Sequence, residues 1–186
     1  MDTRHPVRYS SSQALHFKLE PACIKNVQLI EKGLSNTTEK LYIAHEDPRN
    51  TNNGISRDDI SGTQNIVDVV KGDDELEKLS YPSPILMIKI DVEGLEPEVI
   101  MGLEKTIATH KPIIYWEAFQ KDTVNQSRVL LEKLGYENFY HITTNKFSNK
   151  LMNKLANSLG RSVYIKHLDQ CSRYDGMNVA SPIKLI

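Results

Sequence analysis

Cysteine is nearly absent from this chain of 186 residues: Cys23 and Cys171 are the two it has, too few for a disulfide framework. Glycine is sparse as well. There are nine, the first is Gly33, and no two stand in Gly-x-Gly spacing. No apolar stretch approaches the roughly 18–20 residues that a membrane-spanning helix needs, so no membrane partner is expected. Charge of one sign is not in excess either, with 23 basic against 24 acidic residues. That balance excludes the strongly basic footprint of a nucleic-acid binder. The six histidines show no metal-ligand spacing. The leading MDTRHPVRYSSSQ lacks the apolar core of a signal peptide, and the expectation is a cytoplasmic protein. What is present is a globular balance, 39% hydrophobic and 25% charged. Recurrent apolar runs separate it from disordered chains. The length fits one domain, read as an arm over 1–13 and a single domain over 14–186. Nothing in the sequence sets the oligomeric state.

Hydrophobic periodicity supplies the elements. Residues 14–19 and 27–34 alternate and predict strands, with turn chemistry at 35–38. Residues 41–44 predict a short strand. Residues 45–65 are polar, a long loop of the kind that covers substrates. A strand is expected over 66–70 and a helix over 73–79. The run ILMIKI at 85–90 reads as a strand buried on both faces, as in a parallel sheet. Val99, Ile100, Leu103 and Ile107 define one helical face, stopped by Pro112. Residues 113–116 predict a buried strand, 122–134 a helix ended by Gly135, and 136–142 a strand. A helix over 148–159 and a strand over 162–166 follow. The order strand, helix, strand, helix, strand over 85–142 predicts an α/β fold with a parallel sheet and right-handed crossovers.

Ligands of such sheets bind beyond the carboxyl ends of the strands. Two successive strands here end in acids, Asp91 and Glu117, with Glu93 close behind the first. Carboxylates gathered at one edge repel unless a cation, a proton or a ligand compensates them. These three are the candidate catalytic residues. Glu96 and Glu98 read instead as solvated acids that favour a helix N-terminus. Lys89 is ranked below the acids, on the reading that it shares a side with Asp91 only if the strand bends. More broadly, residues 71–104 hold three lysines against nine acids, and 138–186 hold seven basic residues against two acids. The ordinary reading of both is a solvated face.

The stretch IKIDVEGLE at 88–96, followed by VIMG at 99–102, resembles the signature of FkbM-type methyltransferases. KPIIYWE at 111–117 and LEKLGY at 131–136 are similar to the family's next strand and helix. NVQLIEKGLS at 26–35 and VVKGDDEL at 69–76 resemble its upstream segments. The resemblance implies a Rossmann-like class I methyltransferase sheet with helices on both faces. It also implies S-adenosyl-L-methionine as the methyl donor and a hydroxyl of a small molecule or glycan as acceptor. Within FKLEP at 17–21, Glu20 matches the family's ribose-binding Glu, and Ser35 joins it as an implied cofactor-binding residue. The family's Gly-rich turn has no counterpart. Five residues separate Pro21 from Val27, too few for a crossover helix, so the first strand–helix units are expected to be missing or rebuilt.

The functional expectation is O-methyl transfer. Asp91 would position the acceptor or serve as general base, with Glu93 and Glu117 supporting it. The alternative is a non-catalytic remnant or binding module that retains the second half of the fold. A divalent cation held by Asp91, Glu93 and Glu117 is compatible with either, since oxygen-rich sites prefer Mg or Ca.

Overall fold

The computed structural model describes residues 27–44, 54–56, 66–79, 84–92, 94–144, 163–170 and 176–185. The chain divides into two units, Met1–Lys32 and Gly33–Ile186. In the first, the described residues 27–32 form neither helix nor strand. The predicted strand over 27–34 therefore begins only at Gly33. The predicted strand over 14–19, the helix over 148–159, and residues Glu20 and Glu93 lie outside the described residues.

The second unit holds two sheets. One has the order β1-β4-β2-β3, built from β1 (Gly33–Ser35), β2 (Glu39–Ala44), β3 (Gly54–Ser56) and β4 (Ile66–Lys71). β3 arises inside the segment read as a loop. The other sheet has the order β5-β6-β9-β7-β8, with β5 (Met87–Ile90), β6 (Ile113–Ala118), β7 (Asn138–Thr144), β8 (Val163–His167) and β9 (Gly176–Ser181). β5 and β6 are parallel, as the crossover argument requires. β9, which the sequence reading missed, inserts between β6 and β7 and runs antiparallel to both. β6 and β7 thus share a direction without touching. β9 was missed because GMNVAS carries three small residues and an Asn, which leaves Met177 and Val179 as its only large apolar positions.

β5 is not buried on both faces. Among the described residues it is an edge strand, and Leu86 and Met87 at its start are 74% and 62% exposed. A continuous apolar run signals burial only where both neighbours exist. The alternate residues Ile88 and Ile90 do pack inward, with Ile114, Trp116, Ala118, Phe139 and Ala180 from the neighbouring strands. These share one face by register. Against that face lie α2 (Glu96–Gly102), α3 (Glu104–His110) and α4 (Lys121–Lys133), through Val99, Ile100, Leu103, Ile107, Val124 and Leu131. Leu34 of β1 and Leu76 of α1 (Gly72–Lys78) pack on the same core, so both sheets share it.

The helix expected through Val99, Ile100, Leu103 and Ile107 is interrupted at Leu103, and the seam between the sheets explains the interruption. Asp73 of α1 is buried, and its Oδ2 and Oδ1 accept the backbone N–H groups of Lys105 and Thr106, each at 2.9 Å. A carboxylate from another helix thereby satisfies the first-turn donors of α3. It allows α3 to start afresh although its own N-cap, Leu103, has no capping side chain. Lys105 also pairs with Glu77 across the same seam. One turn earlier, a Cβ on Gly102 would sit 2.0 Å from the Ser35 carbonyl oxygen. Only glycine lets α2 lie this close to β1.

At the far end, α4 stops as the sequence predicts. Gly135 takes φ +81°, the Tyr136 N–H donates to the Leu131 carbonyl, and the Gly135 N–H to that of Glu132. This is the hydrogen-bond pattern of a Schellman motif. It turns Tyr136 inward, where its hydroxyl donates to the Pro112 carbonyl at 2.6 Å. Burial pushes the phenol up to about 12.

Two measurements test this account. Asp73→Asn sets an amide N–H₂ against one of two backbone donors, and chemical denaturation should show a loss of about 2 kcal/mol. A loss within experimental error would remove the capping role. For Tyr136, the folded state resists ionisation that the unfolded chain undergoes near pH 10, so its contribution to stability is present below about pH 10 and is lost as pH rises toward about 12. The stability difference between wild type and Tyr136→Phe should shrink by about 2 kcal/mol across that window. A difference that stays flat with pH contradicts the assignment.

Candidate functional site

β5 and β6 end side by side. Ile90 pairs with Trp116 and Lys89 with Tyr115. Directly paired residues share a face, and so do residues two apart on a strand. Lys89, Asp91, Tyr115 and Glu117 therefore lie on one face, opposite the helix-covered core side of Ile90 and Trp116. Asp91 sits just past the end of β5, and Glu117 within the last residues of β6. The sequence-predicted meeting of these two acids at the carboxyl edge is what the strands produce.

The predicted rank of Lys89 needs correction. Alternation has a period of two, so residues 89 and 91 share a side with no bend at all. Lys89 Nζ donates to Asp91 Oδ2 at 2.6 Å, with both side chains substantially exposed. That bond raises the lysine above its ordinary value, and the charge of Glu117 adds to the effect. The charge that compensates the two acids is thus partly supplied by the chain itself. The signal was in the spacing.

Glu96 is the second residue that was misread. It is not solvated but fully buried at the start of α2. Its Oε1 accepts the Gly94 N–H at 3.0 Å, and Gly94 takes φ +107°, a conformation that favours glycine. The pair builds the turn that follows Asp91 and leads the chain into α2, while Val92 packs against the core. Glu98 is half-buried.

Ser35 does not belong to this edge. It is fully buried at the end of β1, its carbonyl faces Gly102, and its hydroxyl donates to Asn36 Oδ1 at 3.3 Å. The cofactor role implied for Ser35 thus falls on a buried residue of the four-stranded sheet. A cation site is not supported: among the described residues, no group of three His, Cys, Asp or Glu side chains is gathered closely enough to hold a metal ion. Among the same residues, no helix is long and apolar enough to cross a membrane.

Comparison with known proteins follows from this geometry. The family model of the methyltransferase FkbM domain matches residues 10–137, more than half of the chain and including both strand ends. None of the curated proteins matches. Among solved structures, the crystal structure of methyltransferase FkbM from Methylobacillus flagellatus KT is similar at 17% identity, with a TM-score of 0.48. The alignment covers 90% of this chain and 33% of that one, so the chain spans about a third of that relative's length. On the strength of the family model, which takes in the paired acids and the Gly94 turn, the chain belongs to the FkbM methyltransferase family.

Proposed function

We propose that the chain transfers a methyl group from S-adenosylmethionine to a hydroxyl of a small molecule or sugar. The observation that carries this reading is the pair Asp91 and Glu117, on one face at the carboxyl ends of adjacent parallel strands, inside the segment that the family model matches. S-adenosylmethionine, when bound, supplies a methyl carbon activated by a sulfonium cation. The chemistry of the edge suits that group, since two carboxylates on an accessible face attract a cation. The fit is to the sulfonium.

Asp91 accepts a hydrogen bond from the acceptor hydroxyl and holds its oxygen in line with the methyl carbon, the alignment that transfer requires. The same carboxylate receives the hydroxyl proton as the new bond forms. Glu117 adds negative charge one strand away. The Glu96 carboxylate holds Gly94 at the entry to α2, the helix that follows Asp91.

Calorimetric titration with S-adenosylmethionine should give saturable heat at ligand concentrations of about 1 mM or below, where a binding free energy of about −4 kcal/mol suffices. No heat at that concentration favours a non-catalytic module that retains the fold. Asp91→Asn should lower turnover about 100-fold or more. Its folding stability should change by less than about 1 kcal/mol, because the ion pair it breaks is solvent-exposed. Wild-type turnover in that variant contradicts the assignment of Asp91.

A further inference from the structure

Lys89 is the cation nearest to Asp91 among the described ion pairs, and it is not a structural fixture. Its ammonium group bonds one carboxylate oxygen, Oδ2, at 2.6 Å and leaves Oδ1 for another partner. More than half of its side chain is exposed. Among the described residues β5 is an edge strand, with no strand paired on its outer side. Glu117, one strand away, also acts on the ammonium. Among the described residues, two carboxylates and one ammonium leave this cluster one negative charge in excess.

We propose that Lys89 is a specificity-determining residue of this edge, setting how strongly the carboxylates prefer a cationic methyl donor over its neutral thioether product. The proposal rests on the methyl-transfer reading. In that transfer the carbon–sulfur bond breaks with its electron pair on sulfur, a carbon–oxygen bond forms at the acceptor, and the hydroxyl proton goes to Asp91. The positive charge on sulfur therefore disappears as the reaction proceeds. An edge with two uncompensated carboxylates would bind the charged ground state most tightly and thereby raise the barrier, because only interactions that gain strength toward the transition state accelerate a step. Lys89 competes for Asp91 and moderates that excess. It also orients the carboxylate by holding Oδ2, so that Oδ1 faces the ligand.

The test is the ratio of dissociation constants for S-adenosylhomocysteine and S-adenosylmethionine, the two differing in the charge on sulfur. In Lys89→Met that ratio should rise about threefold or more over wild type at low salt, and the change should diminish as salt screens the edge. The KM for S-adenosylmethionine should fall together with kcat, a split that loss of folding does not produce. Lys89→Arg, which keeps the charge, should restore the wild-type ratio. A ratio within twofold of wild type in Lys89→Met overturns the proposal while leaving methyl transfer intact. If neither ligand binds wild type, the methyl-transfer reading fails first and the proposal fails with it.

Discussion

A buried carboxylate on one helix caps another helix, and much of this structure depends on that bond. Asp73 leaves α1, which follows the four-stranded sheet, and accepts the first donors of α3, which follows β5 of the five-stranded sheet. A hydrogen bond to a charged acceptor is worth more than a neutral one, about 1.5–3 kcal/mol. Here two of them converge on one side chain in a seam where Gly102 has no Cβ to hold α2 off β1. The seam allows Leu34 and Leu76 to enter the core formed by Ile90, Ile114 and Trp116. Two sheets that share no strand pairing among the described residues are thereby held on one apolar interior.

The carboxyl edge of β5 and β6 is downstream of that arrangement. α2 is anchored on β1 by the close approach at Gly102 and enters through the Glu96–Gly94 turn. Asp91 follows the last paired residue of β5, and its side chain stays accessible. Internal repulsion between Asp91 and Glu117 is offset by Lys89 from the same strand. The edge is therefore stable without a ligand and remains chemically available, which is what a binding site at the end of a parallel strand pair requires.

The sequence made the site more legible than the sheet around it. Asp91 and Glu117 could be placed because each terminates an apolar run, and strands joined by a crossover helix run parallel, which puts their carboxyl ends on one side of the sheet. Gly135 could be placed because a glycine after a helical face marks a left-handed stop. β9 and the edge position of β5 were not legible, because strand order is decided by which segments pair at long range, and periodicity within a segment carries no such information. Glu96 was misread for a related reason. Its position at a helix start predicts exposure, but its burial depends on the turn made by Gly94 and on the packing of α2. The interruption at Leu103 required knowing that Asp73, some thirty residues earlier, would reach α3.

The most direct test of the account is an amide chemical-shift titration of the folded chain with S-adenosylmethionine. The account predicts saturable shifts concentrated at Ile90 to Val92 and at Glu117 and Ala118, with little change along β8. Shifts that avoid the ends of β5 and β6, or none at all on addition of the ligand, would contradict the claim that this carboxylate edge is where the chain meets its methyl donor.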